Sequence, residues 1–169
     1  LVEGNAVMAT AITEPDAGSD TAAVSTSAVL DGDEYVLNGS KVMIGNGSVA
    51  DFILVFCRTD PEEKSRSQRH SILVVETDRP GYDAEPMHGK MGIRASDTSS
   101  IYFSDVRVPQ ENLVGEQGKG FYQLMQFFDH SRAYVAAHGV GLAAGALDMA
   151  IKHARSRQAF GQKIASFQV

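Results

Sequence analysis

Ala11-Ile12-Thr13-Glu14-Pro15-Asp16-Ala17-Gly18-Ser19-Asp20 is the stretch from which the rest of the chain is read. It follows a short apolar run and leads into another, and it places hydroxyls, acids, a proline and a Gly-Ser pair in one loop. Pro15 fixes its own φ and pushes Glu14 out of the helical region, while Gly18 can take a positive φ or let a ligand approach the backbone closely. A loop of this kind presents backbone amides. Amides and small hydroxyls turned outward make a surface for an anion or a heterocycle without burying a charged side chain. Composition alone equally allows a polar connection between strands.

Working outward from that loop, the bulk properties set the class. The chain has 169 residues, 43% hydrophobic and 21% charged, with a formal net charge of -6 and a pI near 5.3. That length holds one domain, or one domain and part of another. The acidic balance argues against nucleic acid, whose binding draws on clustered Lys and Arg. A polyanionic small ligand held by a few placed groups stays open. One cysteine, Cys57, rules out an internal disulfide and a thiolate metal site, and its apolar surroundings make it a buried structural thiol. No signal peptide and no run of about twenty apolar residues is read, so no membrane span is expected. The default location is the cytoplasm, or the mitochondrial matrix in a eukaryote. The chain opens at Leu1-Val2 in the middle of a pattern and is read as a fragment.

From about residue 6 to 109 the pattern is that of an antiparallel β domain, barrel-like or sandwich-like, with short β-rich runs between turn residues. Asp31-Gly32-Asp33 signals a hairpin between residues 24–30 and 35–37, Asn38-Gly39 a second turn, and Asn46-Gly47 a third. Within residues 51–58 the apolar positions are continuous and predict a central strand. Residues 59–70 form a charged, solvated loop whose Lys64, Arg66 and Arg69 could reach a phosphate. Residues 71–76, 101–103 and 106–108 are further strands, and Pro109 marks the exit. From Gly118 the apolar period becomes helical, with no proline from 121 to 160, which predicts one long helix or two abutting ones. A continuous helix of roughly 38 residues would span about 57 Å at 1.5 Å per residue. Its small residues between 136 and 146 let another helix approach closely, so the helix needs partners from further helices or an oligomer. Gly161 is the expected stop. The domain division is 1–116 and 117–169.

No catalytic set is visible. The five histidines are scattered without carboxylate or thiolate partners, and neither a nucleophile elbow nor a P-loop occurs. The glycines of 115–120 lack the preceding parallel strand of a dinucleotide fingerprint and read as a joint.

Four stretches in order resemble the acyl-CoA dehydrogenase family: residues 13–20; Lys41-Val42-Met43-Ile44-Gly45-Asn46-Gly47 with Ala50-Asp51; residues 91–120, with Gly92-Ile93-Arg94, Ser96-Asp97-Thr98 and Asp105-Val106-Arg107-Val108-Pro109; and residues 132–168, with Gly139-Val140-Gly141 and Arg157-Gln158-Ala159-Phe160-Gly161. The resemblance implies an α+β fragment: the middle β domain followed by long helices of an incomplete C-terminal helical bundle. It implies oxidation of an acyl-CoA thioester to the 2,3-enoyl-CoA, a carboxylate taking the α-proton while the β-hydrogen leaves as hydride to FAD. By the same resemblance Ile12 and Thr13 contact the flavin ring, and Gly18 and Ser19 meet the pyrophosphate and the CoA side. Arg157 and Phe160 reach the FAD of a neighbouring subunit, and Asp129 and Arg132 face the substrate. The loop of Lys64, Arg66 and Arg69 falls where the family meets the CoA nucleotide. An electron-transfer flavoprotein or similar acceptor and a homo-oligomer, a dimer of dimers, are the implied partners.

Two departures stand out. Where the family usually has Trp-x-Thr against the flavin, this chain has Met43-Ile44-Gly45. Met43 can pack on a ring, but Gly45 offers only its amide. The position before the helix arginine, which in some members carries the catalytic Glu, is Ser131, so no catalytic base is assigned and the fragment alone is expected to be inactive. Two alternatives follow: a flavin-free, non-catalytic partner subunit, and a flavin monooxygenase on the same fold.

Overall fold

The computed structural model describes residues 2–60, 62–63 and 65–167. It divides into two units, Leu1–Leu124 and Met125–Val169.

The first unit is a mixed seven-stranded sheet curled as a half-barrel, as the fold class anticipated. Its strands are β1 (Met8–Ala11), β2 (Ser27–Asp31), β3 (Glu34–Gly45), β4 (Phe52–Arg58), β5 (His70–Glu76), β6 (Tyr82–Pro86) and β7 (Thr98–Pro109). The order is β1-β4-β2-β3-β7-β6, with β5 also on β4. Strand β4 is central: it pairs with β1, β2 and β5, and Ile53, Val55, Phe56 and Cys57 are buried. The pairings of β4 with β1 and β2 are parallel, a correction to the purely antiparallel reading. Turn residues announce hairpins, whereas β1 meets β4 only after the β2–β3 hairpin has intervened, and nothing local marks such a crossover.

Two further expectations change. Asn38-Gly39 is not a turn, because β3 runs straight through it. The Asn38 side chain instead exchanges hydrogen bonds of 3.0 and 2.9 Å with the Asp105 carboxylate and amide, bracketing a bulge where Asp105 has φ 52°. The extra residue flips the alternation, so Ile101 and Phe103 point inward before it and Val106 and Val108 after it. At Gly39 a Cβ would lie 2.6–2.9 Å from Thr26, which explains the glycine better than a turn does. The 101–103 and 106–108 runs are accordingly one bent strand, β7. Strand β6, with mostly exposed side chains, had no apolar signal.

The helix is single: α1 runs Gly120–Ser156. Its first residue packs on β5, where a Cβ on Gly120 would lie 2.6 and 2.7 Å from the Cα and carbonyl carbon of Ser71. Both obstacles are backbone, so Gly120→Ala is expected to lower stability by about 1–3 kcal/mol in denaturant unfolding. A cost below a few tenths would show that the joint yields.

The second unit holds most of α1 and a two-stranded hairpin of β8 (Gln158–Ala159) and β9 (Gln162–Lys163). The helix stops at Ser156, and Gly161, with φ 79°, belongs to the hairpin turn rather than to the helix end. By length and composition α1 is apolar enough to cross a membrane. Its alanines and glycines count as apolar while carrying little side chain, so the run passes without twenty consecutive large apolar residues.

Candidate functional site

The 11–20 loop is fixed from beneath by two buried charges. Glu14 and Ala17 exchange backbone hydrogen bonds of 2.9 and 3.3 Å, which closes the tight turn over Pro15. The Glu14 side chain turns inward and is buried, accepting from the Ser25 amide at 2.6 Å, the Ser25 hydroxyl at 2.7 Å and the Thr26 amide at 2.9 Å. Its fourth donor is the fully buried Lys41 ammonium, at 2.9 Å. Lys41 Nζ also donates to the carbonyls of Ile12 at 2.9 Å and Phe56 at 2.7 Å. Burial pushes the Glu14 carboxyl up, but the Thr26 bond, the Lys41 charge and the Ser25 bond together outweigh it and hold the group at about 2. Burial pulls the Lys41 ammonium down, against the pull of Glu14 beside it.

This anchoring decides what the loop shows to solvent. A trans peptide sets each carbonyl opposite the next N–H. The Ile12 carbonyl is held by Lys41, so the Thr13 N–H points the other way, and it has no acceptor among the described residues. The Ala17 carbonyl is taken by Glu14, and the Gly18 N–H is turned outward by the same geometry. Gly18 has no positive φ and nothing within 4 Å of a built Cβ, so of its two sequence-based reasons only close approach to a ligand survives. Ser19 is exposed beside it.

The Met43–Gly45 segment lies next to this loop, because the Val42 amide donates to the Thr13 carbonyl at 2.9 Å. Met43 is 69% exposed at φ 59°, where the pairing of β3 with β7 slips between Lys41 and Ile44. Gly45 pairs with Thr98 and has open space above it. Ile12, Thr13, Gly18, Ser19, Met43 and Gly45 thus share one unit, and the Thr13–Val42 bond joins their two segments. Neutral amides and hydroxyls beside an exposed thioether suit the edge of a heterocycle and a phosphate, the two parts that FAD presents.

The basic loop is less free than its sequence suggests. Arg66 pairs with Asp20 at 2.7 Å, and Arg69 donates to the Ala22 carbonyl at 2.9 Å, while Lys64 lies outside the described residues. In the second unit, Asp129 and Arg132 are 3.8 Å apart on successive turns of α1. Arg132 lines a shallow groove of about 480 Å³ with Phe128, Ser131, Val135 and Ala136. Ser131 donates back to the Phe128 carbonyl at 3.2 Å. Arg157 is exposed just beyond α1, and Phe160, 96% exposed at φ 51°, sits in the hairpin turn with its ring edge-on to Phe167.

Sequence reasoning missed the Glu14–Lys41 pair. Both residues lie inside stretches already singled out, but a charged residue in a loop and a lysine in a strand read as solvated, and a sequence separation of 27 carries no spacing signal.

Comparison with known proteins adds an independent line. The family model for the acyl-CoA dehydrogenase middle domain matches residues 9–106, and that for the acyl-CoA dehydrogenase C-terminal domain matches residues 118–169. A cyclohex-1-ene-1-carbonyl-CoA dehydrogenase of Geobacter metallireducens is 47% identical over 163 residues, which is 96% of this chain and 42% of that protein. A chain in the structure of the electron transferring flavoprotein of Acidaminococcus fermentans superposes with a TM-score of 0.92 at 42% identity, over 98% of this chain and 43% of that one. A glutaryl-CoA dehydrogenase of Mycobacterium smegmatis in complex with FADH2 gives 0.87 at 30% identity, over 97% and 40%. The chain therefore spans well under half the length of the relatives it matches.

Proposed function

The chain belongs to the acyl-CoA dehydrogenase family, and from that premise we propose that the protein carrying it oxidises an acyl-CoA thioester to the 2,3-enoyl-CoA with FAD. The observation that carries the reading is the pair of outward amides, Thr13 and Gly18, beside the exposed Met43–Gly45 segment. When bound, FAD takes up the hydrogen equivalent removed from the acyl chain. The chain's own residues bind and orient. The Thr13 amide and hydroxyl and the Ile12 backbone meet the ring, Gly18 and Ser19 donate to phosphate and to the CoA side, and Met43 packs on the ring face. Asp129 and Arg132 face the acyl-CoA, and Arg157 and Phe160 reach a neighbouring subunit's cofactor. Ser131 cannot abstract an α-proton, so the base comes from elsewhere in the protein.

An electron-transfer flavoprotein is the proposed acceptor, supported by the Acidaminococcus fermentans likeness. A homotetramer is proposed for the exposed apolar side chains of α1, Val135, Val140, Leu142, Leu147 and Met149 among them. The first family model ends at residue 106 and the second begins at residue 118, and this gap supports a domain boundary near 116/117.

One observation favours a second reading: the ring-facing segment lacks both the indole and the hydroxyl, as a subunit that has lost its flavin would. The visible absorbance of oxidised flavin in the purified full-length protein separates the two. A colourless preparation that takes up no added FAD would sink the dehydrogenase reading, and anaerobic bleaching by an acyl-CoA would set it apart from a monooxygenase. Gly45→Thr is the finer probe. Gly45 has no positive φ and nothing within 4 Å of a built Cβ, so a threonine fits without strain. Its hydroxyl should tighten FAD binding by ~1 kcal/mol, about fivefold in Kd, and an unchanged Kd would show that no flavin atom lies within its reach.

A further inference from the structure

We propose that Lys41 and Glu14 are positioning residues for the flavin: the buried ammonium holds the Ile12 carbonyl inward and thereby aims the Thr13 N–H at the cofactor. The inference rests on the FAD reading of this site. All three ammonium protons are committed, to Ile12 O and Glu14 Oε1 at 2.9 Å and to Phe56 O at 2.7 Å, so Nζ has one orientation. Glu14 is itself immobilised by Ser25 and Thr26. The next peptide is fixed as well, because the Thr13 carbonyl accepts from Val42 at 2.9 Å. Rotating the Thr13 N–H away from the exposed face would break the Lys41–Ile12 bond and leave the buried Lys41 ammonium one acceptor short.

Stability alone does not explain why these two positions are charged. Two charges removed from water are costly, and apolar residues of the same volume commonly serve a fold as well or better. Two apolar side chains could fill the space but could not hold a carbonyl. What the charges add is direction, delivered one residue away at the atom that would face the ring.

The test is the Glu14→Gln/Lys41→Met double variant in the full-length protein, which removes both charges and keeps both volumes. It should fold, and its Kd for FAD should rise by about tenfold or more, with a shifted visible band of bound flavin. Val106→Ala, which thins the core at a fully buried position on β7, serves as the stability control and should leave Kd and band unchanged at a comparable loss of melting temperature. A double variant that binds FAD within about twofold of wild type overturns the inference, as does a control that weakens FAD equally. Should the double variant not fold, Glu14→Gln alone is read by the same criteria. A wild-type protein that takes up no FAD overturns the flavin reading itself.

Discussion

Glu14→Ala should destabilise the β unit by about 3–5 kcal/mol, the largest loss expected from any single side chain in the loop. The reason lies in what the truncation leaves behind. Lys41 remains, with a side chain of 0% exposure, its ammonium held by two carbonyls and no counter-charge. The amides of Ser25 and Thr26 lose their acceptor in the same step. A missing partner of a buried pair costs far more than the pair contributes, because the survivor keeps its desolvation penalty. Glu14→Gln retains an oxygen for some of those donors and should cost less. Denaturant unfolding of both variants checks the order: a Glu14→Ala loss below about 1 kcal/mol would mean that water reaches the Lys41 ammonium once the carboxylate is gone.

The same pair marks the limit of what the sequence made legible. The hairpin turn at Gly32-Asp33, the turn at Asn46-Gly47, the central place of β4 and the long helix all follow from local period and turn chemistry, and each is found. Asn38-Gly39 carried an equally good turn signal and was wrong, because the asparagine is used across the sheet by Asp105 and the glycine by the close approach of Thr26. A dipeptide encodes an unusual backbone, not which use is made of it. The parallel contact of β1 with β4 and the burial of Lys41 are non-local in the same sense. Met43 and Gly45 were assigned to one site with Thr13 only through family resemblance, and the physical link, the Val42–Thr13 bond, exists only once β3 is laid beside the loop.

Acid should unfold the β unit through two separate windows, and the buried groups set them. His70 is fully buried, stacked on Phe56 with ring centroids 4.9 Å apart, directly across the sheet from Arg58. Burial first, then the charges of Arg69, Arg58 and Lys41, lowers it from 6.5 to about 4, opposed only by a backbone contact with Arg66. Below pH 6.5 the unfolded chain binds a proton at His70 that the folded chain refuses, so stability present above 6.5 falls until the folded group titrates near 4. Glu14 takes over where His70 ends. Its ordinary value of 4.5 is lowered to about 2, so the unfolded carboxylate protonates first and stability drains between those values. Each window is worth up to roughly 3 kcal/mol at 1.36 kcal/mol per pH unit. Unfolding free energy measured against pH should therefore decline from just above neutrality and keep declining below pH 4.5, rather than break at a single carboxylate step. His70→Phe, which keeps a ring against Phe56, should flatten the upper window alone, and Glu14→Gln the lower. If His70→Phe leaves the decline between 6.5 and 4 unchanged, another group drives it and the imidazole is charged in the folded state.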